Sequence, residues 1–447
     1  MVSISILLLA LLFATAGCIL WHAGRYLLQQ YYWSSLRFVP GPPSPGFIHG
    51  NLSEVFAGDR PAVHHAWVAK YGHVLKYRGM FNMEQIVGRG MLFSEDEQHR
   101  RQRRIMNPAF GPGQIRDLTD VFIEKAIELR DIWSSHLPDC SGHARINIFD
   151  DLTRTTLDII GLAGFEYYFD ALHESNKTSA ELRAAFKTIY SIDPSSAIMR
   201  ALQLSFPLLY LVPHQGLKRL DKARKVMESA FLSGKMMYST ETSSRCSSKR
   251  IWRSIFQRTQ DSRMKRSFPL MWDSPAEIPT LLVAGHETTS IAASWCLYSL
   301  AQNPEMQHKL RKELLNVATD DPTMDELNTL PYLDAVVRET LRFHSPVPFT
   351  LREATKNDVI PLNTPYTDIR GQVHDSIKID KGTTVLVPIA ALNLSKDLWG
   401  RDAAEFRPER WESLPEAVSS MPGVWGNMSP SSAGRVRASA TVSLSWN

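Results

Sequence analysis

The stretch Ile278–Asn303 constrains this chain more than any other. Pro275 and Pro279 stand at its start and Pro304 at its end, so residues that cannot continue a helix set its limits. Leu281, Leu282 and Val283 lie before its centre, and Trp295, Cys296 and Leu297 after it. A helix apolar on all sides is normally buried. Yet the centre reads Ala284-Gly285-His286-Glu287-Thr288-Thr289-Ser290. Gly285 costs about 1 kcal/mol of helix propensity relative to alanine, and burying Glu287 costs more unless it is partnered. A buried helix that gives up stability at its own midpoint points to something bound there. A zinc-protease helix needs His-Glu-x-x-His, and Ser290 stands where the second histidine belongs. A plain core helix, its hydroxyls bonded back to carbonyls, stays open on this stretch alone.

The 447 residues, 44% hydrophobic and 21% charged, are enough for a large core. A net charge of +4 is too small to argue for a nucleic-acid partner, and none is expected. Cys18, Cys140, Cys246 and Cys296 are scattered, with neither a disulfide framework nor metal-ligand spacing, and the balance reads as a reducing compartment. Residues 2–21 carry no charge and are long enough to span about 30 Å of hydrocarbon. A cleaved signal peptide is the alternative, with Ala14-Thr15-Ala16 as its site. No Lys or Arg precedes the apolar run, however, while Arg25 and Arg37 follow it. That asymmetry favours an uncleaved single-pass anchor with the body in the cytosol. The expected organisation is an anchor at 2–24 and a proline-rich hinge at 25–50, stiffened by Pro40-Gly41-Pro42-Pro43-Ser44-Pro45-Gly46. A body then follows from residue 51.

Within the body, His64–Tyr71 is amphipathic and Val74–Tyr77 strand-like. Glu97–Arg104 is the densest basic cluster, mostly a solvated face, although His99 and Arg103 share one side at i, i+4 and could clamp an anion. Asp117–His136 and Asp151–Gly164 read as helices. Pro331 opens another, with Leu333, Val336, Val337, Thr340 and Leu341 on one stripe and Glu339 and Arg342 on another. Ile377–Ile379 and Thr383–Val387 flank Asp380-Lys381-Gly382 as a hairpin, and Phe406–Trp411 closes the series. The class is mainly α with small β-sheets.

In order, the motifs resemble the cytochrome P-450 family, the haem-thiolate monooxygenases, and most of all its membrane-anchored fungal members. They are the apolar anchor, the proline hinge and His99-x-x-x-Arg103, then Ala284-Gly285-x-Glu287-Thr288-Thr289, Glu339-x-x-Arg342 and Pro408-Glu409-Arg410-Trp411. The resemblance implies haem b, its propionates held by His99, Arg103 and Arg352. It implies a buried ion triad of Glu339, Arg342 and Arg410, tolerable only because every charge is paired. Gly285 would let the backbone yield beside dioxygen, and Glu287 and Thr288 would relay protons. The implied activity is hydroxylation of a lipophilic small molecule with dioxygen and electrons from a flavoprotein reductase. The implied location is the endoplasmic reticulum membrane. The alternative is a catalytically dead, membrane-anchored remnant or binding protein.

The resemblance breaks in three places. The family's Phe-x-x-Gly-x-Arg-x-Cys-x-Gly motif is due after Gly423–Met428, but no cysteine follows Cys296, and residues 429–447 form a Ser-rich tail. The genetic code offers a reason. If each codon takes the third base of one written codon and the first two of the next, codons that spell Ser429–Asn447 also spell TFLGGPRACIGYRFSFVE. Encoded as CGT GCA, one of their possible codon pairs, Arg437-Ala438 would contain TGC, so the axial cysteine is expected at the position of Ala438. The same shift over Ser244–Phe268 can yield the acidic text LEMFFQANMAIDIPENPGLTDEEVL, which makes 240–275 suspect as written. The third break is a gap near Met83-Glu84, where a strand and a helix of the family are missing. The family-like domain is therefore expected to run over 51–428.

Overall fold

The protein is seen in a computed structural model. It describes residues 34–45, 50–51, 60–77, 96–106, 111–137, 144–165, 168–173, 277–319 and 321–419, with isolated positions at 17, 21, 24 and 54 and between 181 and 226. The expected anchor lies outside the described residues apart from Gly17, Trp21 and Gly24, which are helical. So do the suspect text from 240, the gap at Met83 and the tail at 429–447. Among the described residues no helix is long and apolar enough to cross a membrane.

Helices α1 (Arg60–Tyr71), α2 (Asp96–Met106), α3 (Pro112–Asp117), α4 (Thr119–Ser135) and α5 (Ile148–Phe165) come first. The central helix α6 runs over Glu277–Gln302, followed by α7 (Pro304–Leu315), α8 (Met324–Asn328) and α9 (Pro331–Phe343). The expected helix at 117–136 is α4, Thr119–Ser135, and Asp117 closes the preceding α3. Proline opens both α7 and α9, where its missing N–H costs nothing. Helix α8 starts with a full capping box: Thr323 Oγ1 accepts from Glu326 N, and Glu326 Oε2 accepts from Thr323 N. Helix α6 makes its broadest described contact with α5 and is braced by α7 and α9. Leu300, Leu310, Tyr332 and Val336 form the core between α6, α7 and α9.

The buried face of α9 differs from the expected stripe. Tyr332, Ala335, Val336, Glu339, Thr340 and Arg342 are buried, while Val337 is exposed. The face turns because the Glu339 and Arg342 side chains find partners inside the protein.

Four strands follow: β1 (Thr350–Glu353), β2 (Asp358–Thr367), β3 (Val373–Ile379) and β4 (Thr384–Val387). The expected hairpin across Asp380–Gly382 is not formed. Strand β3 pairs antiparallel with β2, and β4 pairs with β1. The turn itself is present, with Gly382 at φ +84° and Thr383 N bonded to Asp380 O. Gly382 N also donates to Ala354 O and Ala354 N to Thr383 O, which hands the chain from one sheet to the other. Short helices α10 (Ile389–Asn393) and α11 (Lys396–Trp399), a 3-10 turn (Pro408–Glu412) and α12 (Glu416–Ser419) complete the described chain.

The described part of the hinge is docked rather than free. Lys76 N donates to Pro40 O at 2.8 Å, and Lys76 Nζ to the carbonyls of Leu36 and Arg37. A Cβ on Gly41 would sit 1.7 Å from Lys76 O, so only glycine allows this approach. Val74–Tyr77, expected as a strand, runs beside the hinge without ladder pairing among the described residues.

Candidate functional site

On α6 the polar residues of the central motif divide between two faces. Gly285 faces α5, where an added Cβ would stand 2.7 Å from Ile160 Cδ1. The glycine therefore serves the close approach of two helices. Gly285→Ala is expected to cost about 1–3 kcal/mol through overpacking. A urea titration checks this, and Ile160→Ala on top should recover part of the loss.

His286 is buried, and its Nδ1 donates to Leu282 O at 3.0 Å. Burial pulls its pKa down to about 4, so the ring is neutral in the folded protein. The unfolded ring, with an ordinary pKa near 6.5, binds the extra proton. The stability this histidine contributes is thus complete above about pH 6.5 and is lost as pH falls toward 4, by about 1.4 kcal/mol per pH unit. His286→Leu should flatten that part of the stability–pH curve, measured by denaturant unfolding.

Thr288 Oγ1 donates to Ala284 O at 2.6 Å, and Thr289 Oγ1 to Gly285 O at 2.9 Å. Ser290 and Ser294 bond back in the same way. With its proton committed to Ala284, the Thr288 hydroxyl presents lone pairs and acts toward a bound group as an acceptor. Ala284, Thr288, Ile291, Trp295 and Tyr298 follow four- and three-residue steps along one face. Trp295 is 42% exposed and Tyr298 55%, an unusual state for the middle of a large protein's central helix. Trp295 stacks on His344 at 4.3 Å, and His344 Nε2 pairs with Ser299 Oγ at 3.0 Å.

The second constellation is buried. Glu339 and Arg342 are fully enclosed, and Arg342 forks onto the carboxylate through Nε at 2.8 Å and Nη2 at 2.7 Å. Arg342 Nη1 also donates to Asn393 O and Ala403 O, both at 2.7 Å. Arg410 Nε reaches Glu339 Oε1 at 3.5 Å. Arg407 N and Trp411 Nε1 supply further donors to that carboxylate, at 2.8 and 3.1 Å. The nearer carboxylate of Arg410 is Asp402, at 2.9 Å, a partner the sequence reading missed and no motif announced. Arg410 holds the Asp402 carboxyl below its usual range.

Arg352 lies on β1, its Nη1 bonded to Thr350 Oγ1 and Leu351 O at 2.7 Å. His99 and Arg103 lie on α2, His99 half-buried and Arg103 exposed.

A haem-thiolate centre needs an anionic sulfur on iron. Cys296 is the one cysteine among the described residues, half-buried where α6 meets α9 and hydrogen-bonded to Thr340. Burial pushes its thiol up, which keeps it protonated. No cysteine follows it in the sequence. The residues present suit the surroundings of such a group but not its axial bond.

This mainly helical body, with two small sheets and a buried Glu-Arg-Arg network beside a Thr-bearing central helix, defines a class of haem oxygenating enzymes. The cytochrome P450 family profile matches residues 43–422. Cytochrome P450 monooxygenase 205 of Postia placenta is 42% identical over 451 residues, covering 90% of this chain and 81% of its own. Cytochrome P450 monooxygenase 128 of the same fungus is 41% identical over 468 residues, covering 93% and 84%. Cytochrome P450 monooxygenase claO of Ampulloclitocybe clavipes is 37% identical over 385 residues, covering 84% and 70%. The chain belongs to the cytochrome P450 family, the haem-dependent monooxygenases, and is an oxidoreductase by that membership.

Proposed function

We propose that the gene encodes a membrane-anchored haem-thiolate monooxygenase whose printed chain has lost its iron ligand to a slip of reading frame after Met428. The Ala284–Tyr298 stripe, exposed at Ala284, Trp295 and Tyr298 and half-buried between, carries this reading. An apolar helix face with two exposed aromatics is missing its cover, and the shifted frame encodes a cysteine loop followed by an aromatic-rich segment. Both matched lengths in the Postia relatives exceed the 447 residues of the chain. The relatives therefore carry internal residues that this chain lacks, consistent with a skipped segment near Met83 and a domain written in full only in part between 51 and 428.

In this reading haem b, when bound, supplies the oxygen-activating chemistry. Arg352, His99 and Arg103 would pair with its propionates, Thr288 would accept a hydrogen bond from a bound group, and Glu287 would pass protons from solvent. The substrate is a lipophilic small molecule, and electrons come from a flavoprotein reductase. The anchor at 2–24 holds the enzyme in the endoplasmic reticulum membrane with its body in the cytosol. No Asn-x-Ser/Thr acceptor added to the body should then be glycosylated, and carbonate should not extract the chain. A second reading, a catalytically dead remnant or binding protein, is favoured by the absence of any cysteine after Cys296. The reduced, carbon monoxide-treated difference spectrum of the chain repaired at Met83, Ser244–Phe268 and Met428 separates the two: a Soret band at the thiolate position supports the frame slip, and its absence supports the remnant.

A further inference from the structure

Three metal-ligating side chains meet beside α4, and the monooxygenase reading uses none of them. Helix α4 supplies Glu128, and the short segment after α5 supplies Asp170 and His173. His173 Nδ1 lies 2.8 Å from Asp170 Oδ1 and 3.4 Å from Glu128 Oε1. One ligand atom from each of the three falls within 4.8 Å of the others. A four-coordinate zinc ion with bonds of about 2.0–2.1 Å sets its ligand atoms about 3.3–3.4 Å apart. The three therefore need only a small closure to share an ion. Glu128 and His173 border an open depression of about 570 Å³, lined also by Glu124, Asp131 and Tyr168, through which an ion and its waters can enter.

The donors are held from behind by the packed body. Lys125, 1% exposed, donates to Glu128 Oε2, which leaves Oε1 turned toward His173. Asp158, buried on α5, accepts from Ala171 N at 2.8 Å and Leu172 N at 3.2 Å and so fixes the backbone between Asp170 and His173. Leu129 and Leu172, each next to a ligand in sequence, pack with Leu152 in one core. Ligands set on packed elements keep their geometry before an ion arrives. The charge balance suits a cation, since the Glu128 and Asp170 carboxylates face the single ammonium of Lys125 and Glu124 lines the same depression. One imidazole with two carboxylates and no sulfur suits zinc, whereas magnesium and calcium prefer oxygen alone. The plain alternative is an imidazolium held between two carboxylates, and the two differ in what a metal does to the protein.

We propose that Glu128, Asp170 and His173 form a zinc site that ties α4 to the segment after α5, with water completing the coordination and the ion serving as a structural cross-link. The site stands independently of the haem reading. The test uses the full chain, stripped of metal by a chelator, with zinc and cobalt chlorides as probes. The expected result is one zinc ion per chain in competition with a chromophoric chelator. The denaturant midpoint should rise with free zinc, as it does for any ligand that the folded state alone binds. Cobalt(II) should show d–d absorption without a thiolate charge-transfer band, because the ligand set holds no sulfur. His173→Gln and Asp170→Asn should each weaken zinc binding by more than about tenfold, a loss that even outer partners of a metal site cause, and should abolish the rise in midpoint. His136→Gln, exposed just past the end of α4, should change neither. The His173 side chain is 53% exposed, and asparagine accepts the left-handed φ of +53° that Asp170 takes, so both variants keep the fold, which their metal-free midpoints check. A midpoint that zinc leaves unmoved supports the plain ion pair and overturns the site. So do zinc binding that survives both variants, a thiolate band with cobalt, and magnesium that matches zinc at equal concentration.

Discussion

A single base inserted after the Met428 codon is expected to restore a cysteine where Ala438 is written, and with it thiolate-ligated haem. Ser439 is a poor ligand, and the Cys296 thiol is held protonated between α6 and α9 with Thr340 as its hydrogen-bond partner. In the chain as given, the proposed propionate partners would grip haem without an anionic donor on iron, so the protein should purify colourless or with weakly bound, non-thiolate haem. Repair at 428 alone should fall short, because the acidic text recovered from Ser244–Phe268 leads into α6 and the gap near Met83 removes part of the body. Repair at all three sites, extended to the relatives' full length, should give the thiolate band in the reduced carbon monoxide spectrum. It should also protect Trp295 and Tyr298 from solvent, read as loss of fluorescence quenching by iodide. A fully repaired chain that binds haem without the band would contradict the assignment of position 438.

Arg342→Met is expected to unfold the body. The substitution leaves the buried Glu339 carboxylate with Arg410 at 3.5 Å as its one remaining cation, and strips Asn393 O and Ala403 O of their donor. Breaking one side of a buried pair costs about 3–5 kcal/mol, a large share of the 5–15 kcal/mol that separates a typical domain from its unfolded state. Arg342→Lys should recover little, because an ammonium cannot fork onto Glu339 and reach both carbonyls. Asp402→Asn should cost less, since Arg410 keeps its bonds to Trp399 O and Asp402 O. Denaturant midpoints for the three variants check the ranking. Equal losses would mean that the network is not the lock described.

The helices were legible wherever proline and apolar period agreed. The central helix begins and ends one residue from its expected limits, and α9 starts at Pro331 as its text requires. The strands were not. Their local sequence called for a hairpin across Gly382, but the pairing is decided by Ala354, some thirty residues upstream, which no local pattern encodes. Gly285 was legible as a special position, but its contact with Ile160 was not, because Ile160 approaches it from another helix. The Glu339-x-x-Arg342 pair was readable at i, i+3. Asp402, the closest acid to Arg410, was not, since it sits in an irregular loop whose course follows from packing around Trp399.

The central claim is that this is a cytochrome P450 whose reading frame is displaced, and the transcript tests it most directly. Sequenced across the codons for Met83, Ser244 and Met428, it should carry additional coding sequence at the first. At the third it should carry, one base out of register, a run encoding Phe-Leu-Gly-Gly-Pro-Arg-Ala-Cys-Ile-Gly. A transcript whose codons at 429–447 do not spell that cysteine motif in the shifted frame would contradict the account and make the printed tail genuine.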